Sequence, residues 1–300
     1  MGRAGYNPRM STNVVITGAN KGVGLATVAA VLSARDDIFV YLGSRSEARG
    51  EAARRSLIDD HGDWAERVEV LPLDVGDDDS VKAAAERVKA ALDGDTLYGV
   101  VNNAGIGLGG EPMATILNVN TYGPKRVVES FLPLIESDGR IVNVASASGP
   151  MFVARCREDR QRQLTDPNVT WEDIEAVMTE CLAIDEKGGD FEAAGFGTGN
   201  AYGLSKACLN AYTIALARQN PTMTVNACTP GYIATDLTLP RAAGRDPASL
   251  GMKPPEEGTK ATLHLLLGDP KGSGWYFGSD AVRSPLDRYR SPGDPPYDGE

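Results

Sequence analysis

Short apolar runs alternate with helix-patterned segments along most of the chain. The runs are continuously apolar and rich in branched residues, a pattern that predicts strands buried on both faces. Between them, apolar residues recur at helical spacing. The predicted strands are 13–17, 38–42, 68–71, 97–101, 140–144 and 225–228, and the predicted helices are 25–33, 48–58, 80–92 and 114–135. This alternation predicts an α/β fold in which a parallel sheet is covered by helices.

One connection is much longer than the others. About fifty residues separate the fifth predicted strand from a helix that begins near Asn200, whereas such connections usually have roughly 2–6 residues. Thr170 and Asp173 form the pattern of a helix N-cap with an acidic partner. Apolar residues follow at helical spacing, namely Ile174, Val177, Cys181 and Leu182. We therefore expect a single domain over 1–300, with a helical insertion at 150–199 and an irregular tail at 284–300.

The net charge of −11 and the isoelectric point near 4.8 disfavour binding to nucleic acids or anionic membranes. No apolar run approaches the roughly 20 residues of a membrane-spanning helix. Residues 1–11 also lack the apolar stretch of a signal peptide. The four cysteines are widely spaced, which favours free thiols over a disulfide framework or a metal site. The chain is thus expected to be a soluble cytoplasmic protein with a small-molecule partner and no metal.

A glycine-rich loop follows the first predicted strand. Gly18, Gly22 and Gly24 allow a tight turn and close approach of the backbone to a pyrophosphate, and the following helix N-terminus offers free N–H groups. Because a strand precedes the loop and a helix follows it, we predict dinucleotide binding in a doubly wound Rossmann fold. Asn20, Lys21 and Val23 complete the expected phosphate-binding loop.

The end of the second predicted strand indicates which dinucleotide is bound. NAD-binding proteins usually carry an acidic residue there, which contacts the ribose 2′-hydroxyl. This chain has Ser44 followed by Arg45 instead. Arg45, Arg49 and Lys21 can pair with a 2′-phosphate, although solvated surface cations are the alternative interpretation. The pattern favours NADPH.

Tyr202 and Lys206 are one helical turn apart on the helix that follows the insertion,. A free phenol has a pKa of about 10, and a nearby ammonium group or an oxidised nicotinamide ring lowers it. Such a phenol can protonate a carbonyl oxygen while hydride arrives at the carbon. This pair alone is weak evidence, because the same spacing also occurs by chance on surface helices.

Taken together, the motifs resemble the short-chain dehydrogenase/reductase family. They occur in the family's order over residues 13 to about 240. The long insertion, the loop around Lys21, and Arg45 with Arg49 are similar to the monomeric NADPH-dependent carbonyl reductases of that family. The matching positions are the loop 17–24, Asp74, the segment Asn102-Asn-Ala-Gly105, Asn120, Ser146, Tyr202, Lys206, Pro230, Gly231 and Thr235.

The resemblance implies a role for each of these residues. Tyr202 would be the acid, Ser146 would bind the substrate oxygen (with Ser148 as a second choice), and Asn120 would hold a proton-relaying water. Lys206 would hold the nicotinamide ribose and lower the pKa of Tyr202. Asp74 would contact the adenine, Asn102 the adenosine ribose side and Thr235 the nicotinamide end. The other expected cofactor contacts are Val75, Ala104, Pro230, Gly231 and Ile233.

The expected activity is NADPH-dependent reduction of a ketone, aldehyde or quinone carbonyl to the alcohol. Two alternatives remain, namely reduction of an enone C=C bond on the same fold and a non-catalytic NADPH-sensing scaffold. The intact Tyr202 favours carbonyl reduction, and its pairing with Lys206 favours an enzyme. The insertion is also expected to cover the helices that other family members use to form tetramers, which implies a monomer.

Overall fold

The computed structural model describes residues 12–107 and 109–299. The predicted absence of a signal peptide at residues 1–11 therefore lies outside the described residues. The main strands are β1 Thr12–Ile16, β2 Ile38–Ser44, β3 Val68–Pro72, β4 Leu97–Asn102, β5 Ile135–Val144 and β6 Thr224–Cys228, followed by the two-residue strands β7 Tyr276–Phe277 and β8 Arg283–Ser284.

These strands form one sheet in the order β3-β2-β1-β4-β5-β6-β7-β8. All neighbouring strands are parallel except β7 and β8. Strand order reverses between β1 and β4, and such a switch point opens a crevice beyond the carboxyl ends of the strands. Separate apolar clusters cover the two faces of the sheet. The predicted doubly wound fold is confirmed.

The helices are α1 Gly22–Ala34, α2 Glu47–Asp60, α3 Asp78–Leu92, α4 Met113–Leu117, α5 Gly123–Phe131, α6 Ser148–Val153, α7 Glu158–Thr165, α8 Trp171–Glu186, α9 Ala201–Gln219 and α10 Lys260–Leu267. Along the described parts of the chain, no helix combines the length and the apolar character that crossing a membrane requires.

The helix predicted over 114–135 differs from the observed structure. A π-helical segment, Asn118–Tyr122, separates α4 from α5, and a 3₁₀ turn, Leu132–Leu134, ends the helical region. Pro133 cannot donate a backbone hydrogen bond, and Ile135 already pairs with Leu97 of β4. The predicted helix was therefore too long, and the fifth strand begins earlier than predicted.

The segment between β5 and α9 contains three helices, α6, α7 and α8. At the start of α8, the Thr170 hydroxyl accepts a hydrogen bond from the Asp173 amide at 3.2 Å, and the Asp173 carboxylate accepts one from the Thr170 amide at 3.0 Å. The predicted capping pattern is thus present. The apolar side of α8, which includes Ile174, Val177 and Cys181, is buried, and α8 packs against α9 of the same chain.

The chain after β8 has no regular secondary structure but is tied to the sheet through Arg290. Its guanidinium forms an ion pair with Asp280 at 2.5 Å, and only 6% of the Arg290 side chain is exposed. The same group donates to the Ser284 hydroxyl at 3.0 Å and to the Ser291 carbonyl at 2.8 Å. The contacts of the buried Arg290 guanidinium therefore fix the irregular segment after β8 against the rest of the protein.

Candidate active site

A cavity of about 630 Å³ lies at the crevice beyond the carboxyl ends of the strands. It brings together most of the residues that the sequence singled out, although these are spread over more than two hundred positions. Those that line it are Gly18, Asn20, Lys21, Gly22, Val23, Gly24, Arg45, Asp74, Val75, Ala104, Ser146, Tyr202, Lys206, Pro230, Gly231, Ile233 and Thr235.

The glycine loop lies close to the end of β4. Gly18 has a φ of +62°, and a Cβ atom there would lie 2.8 Å from the Cα atom of Ala104. This position therefore requires glycine for both its backbone conformation and its close approach. The hydroxyl of Thr17 accepts hydrogen bonds from the amides of Asn103 and Ala104, each at 3.0 Å. These contacts hold the loop in the shape expected of a phosphate cradle.

Asn103 supports the glycine loop, a role that its sequence position did not predict. Its side-chain amide donates hydrogen bonds to the carbonyls of Thr17 at 2.9 Å and Gly18 at 3.2 Å, and the residue lines the cavity. Asn102, the predicted cofactor contact, is not among the lining residues. It is 2% exposed and donates to the Asn143 side chain at 2.9 Å inside the sheet. Asn102 is the last residue of β4 and Asn103 follows it. Because successive side chains along a strand point to opposite faces, this alternation is the signal that separates the two asparagines.

Two arginines at one end of the cavity are available for an anion. The guanidinium groups of Arg45 and Arg49 line this end and make no hydrogen bond or ion pair with the described residues. Lys21, which was expected beside them, forms an exposed ion pair with Asp236 at 2.5 Å. Ser44 at the end of β2 is buried, and its hydroxyl donates to the Ser46 carbonyl. The residues present therefore fit a phosphorylated ribose.

At the other end of the cavity, the Ser146 hydroxyl lies close enough to the phenol of Tyr202 to act against a rise in its pKa. The Ser146 hydroxyl oxygen also accepts a bond from the Ser148 amide at 3.1 Å. Tyr202 stands in the first turn of α9, where the Asn200 side chain caps the helix by accepting from the Gly203 amide at 2.7 Å. The segment after β5 and the first turn of α9 thus each bring a hydroxyl group to the cavity.

Burial raises the pKa of Tyr202, and the nearby Ser146 hydroxyl and the charge of Arg241 only partly oppose this rise. Lys206 was expected to lower this pKa. In the structure the Lys206 ammonium lies 5.8 Å from the centre of the tyrosine ring and donates to the Val144 carbonyl at 2.9 Å. The desolvation of the phenol therefore dominates, and Tyr202 is protonated at neutral pH.

Asn120 is buried beside the cavity and is not among its lining residues. Its side-chain oxygen accepts from the Ile106 amide at 2.9 Å, and its amide donates to the Ile106 carbonyl at 2.9 Å and to the Ser205 hydroxyl at 3.0 Å. The side chain thus ties the segment after β4 to α9. Its predicted water-holding role stays a prediction, and the π-helical turn that carries Asn120 is a feature frequent at functional sites.

Comparison with known proteins agrees with this geometry. A short chain dehydrogenase family model matches residues 12–156. Carbonyl reductase [NADPH] 1 of Bos taurus is 30% identical over 274 residues, which cover 86% of this chain and 92% of the relative. The (+)-neomenthol dehydrogenase of Arabidopsis thaliana is 33% identical over 281 residues, covering 84% and 90%. This chain belongs to the short-chain dehydrogenase/reductase family.

Solved structures of the family share the fold along nearly their whole length. Salutaridine reductase from Papaver somniferum superposes with a TM-score of 0.75 at 27% identity, covering 88% of this chain and 99% of that protein. The menthone neomenthol reductase from Mentha piperita gives a TM-score of 0.73 at 28% identity, covering 90% and 99%. The predicted resemblance to this family is confirmed.

The individual side chains on the wall of this short-chain dehydrogenase/reductase site beyond Tyr202 were not predicted. It is formed by the segment after β4 and by the loop that follows β6. Because these segments carry no recurring motif, their sequence did not indicate which side chains face the cavity. The additional residues on this wall are Ile106, Glu111, Tyr232, Leu239 and Arg241.

Proposed function

We propose that this chain is an NADPH-dependent carbonyl reductase that converts a ketone, aldehyde or quinone to the alcohol. The observation that carries the proposal is that Tyr202 and Ser146 line the same cavity wall, where Ser146 is close enough to act on the pKa of the Tyr202 phenol. Two hydroxyl groups at one point can both donate to a single oxygen atom. Negative charge develops on that atom when hydride reaches a carbonyl carbon.

The proton comes from Tyr202. Because burial raises its pKa, the phenol carries its proton at neutral pH and is ready to donate it in the direction of reduction. Ser146 orients the carbonyl oxygen and remains hydrogen-bonded to the alkoxide as it forms. NADPH, when bound, supplies the hydride. Lys206 offers a buried positive charge on the same wall, which stabilises the tyrosinate left after proton transfer.

The preference for NADPH is supported by the charge of the distal end of the cavity. Arg45 and Arg49 present two unpaired guanidinium groups, and the planar fork of arginine matches phosphate geometry. No acidic residue stands at the end of β2 to bind an unphosphorylated ribose. The relatives called carbonyl reductase [NADPH] 1 from Bos taurus and Homo sapiens align with 86% and 87% of this chain.

We also propose that the protein is a cytoplasmic monomer organised as one domain. Helix α8 packs against α9 of its own chain, which leaves α9 less surface for a second subunit. All four cysteines are buried free thiols, as is usual in a reducing compartment. Light scattering at micromolar concentration tests the assembly, and a stable dimer or tetramer would contradict the monomer.

A panel of ketones, aldehydes, quinones and enones tests the activity. NADPH consumption is followed for each compound, and the product is identified by mass spectrometry and NMR. We expect alcohols from the carbonyl compounds and unsaturated alcohols, not saturated ketones, from the enones. NADPH binding without turnover of any compound would favour the scaffold interpretation, and saturated ketones would favour C=C reduction.

A further inference from the structure

The substrate end of the cavity contains a cation that the reduction chemistry does not use. Arg241 lies on the 3₁₀ turn Leu239–Ala242, in the loop that follows β6. It lines the same cavity as Tyr202 and Ser146. Its guanidinium forms no hydrogen bond, ion pair or ring contact with any residue in 12–107 or 109–299. It is therefore a charged donor group with free hydrogen-bonding capacity.

Arg245 lies in the same loop as Arg241, but its side chain does not line the cavity. The Arg245 side chain donates back to the Ala242 carbonyl at 3.3 Å and is not among the cavity-lining residues. Both arginines belong to one short exposed segment. The chain thus offers two cations of equal charge, of which one faces the site and the other is bonded to its own backbone.

The charge of the cavity differs in sign from the charge of the protein. The chain carries a net charge of −11, yet its cavity wall has more cations than carboxylates. Lys21 and Asp236 are paired, and the Glu111 carboxylate accepts from the Gly109 amide at 3.1 Å. The charged residues on the wall are Lys21, Arg45, Arg49, Lys206, Arg241, Asp74, Glu111 and Asp236. A positive cleft in an acidic protein draws in anions.

The positive charge at the distal end is accounted for by the phosphorylated cofactor, but Arg241 stands at the opposite end. Burial raises the pKa of Tyr202, and the charge of Arg241 acts against that rise, so the two groups are within electrostatic reach. Tyr232 and Leu239 line the wall beside Arg241 with apolar surface. The positive charge of Arg241 and this apolar surface together fit a substrate that has an apolar body and one anionic group.

We propose that Arg241 selects carbonyl substrates that carry a carboxylate, which it binds while Tyr202 and Ser146 hold the carbonyl oxygen. The proposal rests on the carbonyl reductase activity proposed above and names its substrate class, an oxo-carboxylate with an apolar body. Arginine suits this task because its guanidinium binds a carboxylate through two parallel hydrogen bonds.

The test uses aryl ketones with a substituent at increasing distance from the carbonyl, each prepared as carboxylate, methyl ester and primary amine. The ratio of kcat/KM for the carboxylate to that for its ester is measured with NADPH. We expect the best carboxylate to exceed its ester at least about tenfold, the factor expected from one hydrogen bond to a charged group. Arg241→Met should reduce this ratio to near one, mainly through KM of the carboxylate, and Arg241→Lys should restore part of it.

Arg245→Met is the matched control, because it removes an equal charge from the same loop and should preserve the ratio. An equal decrease of the carboxylate-to-ester ratio in both variants would show that the charge of the loop as a whole attracts the carboxylate, and it would overturn the proposal. So would a wild-type preference for the ester or the amine. Reduction of the esters without preference for the carboxylates would overturn this proposal alone, whereas no reduction of any carbonyl compound would overturn the proposed function as well.

Discussion

The ammonium group of Lys206 donates a hydrogen bond to the carbonyl oxygen of Val144, 2.9 Å away, in a place that solvent scarcely reaches. Among residues 12–107 and 109–299, no carboxylate lies close enough to stabilise this charge. Burial therefore lowers the pKa of Lys206 from 10.5 to about 8, against a smaller opposing effect of Cys228. The protein maintains a buried cation at its active site at the expense of stability.

This relationship predicts how stability depends on pH. The unfolded lysine binds its proton more tightly than the folded one, so the folded state gains stability as pH rises from about 8 to 10.5,. Relative to a Lys206→Met variant, we expect the wild-type free energy of unfolding to rise by about 2 kcal/mol between about pH 7.5 and pH 10. Urea denaturation at both pH values measures this difference. The exposed Lys82 of α3 provides the control, and an equal pH effect of Lys82→Met would refute the explanation.

Removal of the tyrosine hydroxyl tests the proton donor. Tyr202→Phe keeps the ring but removes the proton, so kcat for ketone reduction should fall by at least roughly 10²-fold. The dissociation constant of NADPH, measured by fluorescence titration, should change little. Tyr212→Phe on the same helix is the control, because Tyr212 is buried against Trp171 and does not line the cavity. Near-normal turnover by Tyr202→Phe would make the proposed mechanism wrong.

Cofactor choice is expected to depend on Arg45. Arg45→Asp removes a charge-assisted phosphate contact and adds repulsion, so the preference for NADPH over NADH should shrink by roughly 10²-fold. The two dissociation constants are measured for each variant. Arg55→Asp makes the same change on the exposed side of α2, away from the cavity. A similar loss in that control would point to overall charge instead of a phosphate site.

Asn103 is expected to support the phosphate loop. Asn103→Ala removes the donor to the carbonyls of Thr17 and Gly18, and a less ordered loop should weaken NADPH binding by roughly tenfold. Isothermal titration calorimetry measures the effect. Asn220→Ala, which removes a comparable side-chain bond to the Leu216 carbonyl at the end of α9, should leave NADPH binding unchanged. Equal affinities of wild type and Asn103→Ala would contradict this role.

Local sequence patterns were sufficient to predict the fold, and the resemblance to the family added most of the candidate site residues. Apolar runs between helix-patterned segments predicted the parallel sheet, because burial on both faces is read directly from hydrophobicity. The glycine loop and the spacing of Tyr202 and Lys206 are likewise local, since a turn conformation and a helical repeat relate near neighbours along the chain. The capping pattern at Thr170 predicted the start of α8 for the same reason.

Only the tertiary structure decided which side chains meet. Asn102 and Asn103 are adjacent residues of the same type. Asn102 turns into the sheet, where it bonds to Asn143 of β5, and Asn103 turns towards the glycine loop, where it bonds to Thr17 after β1. The raised pKa of Tyr202 and the lowered pKa of Lys206 arise from burial by distant segments. Arg241 and Arg245 could not be told apart by sequence for the same reason. Desolvation and hydrogen bonding are set by neighbours in space, and most of those neighbours are far away along the chain.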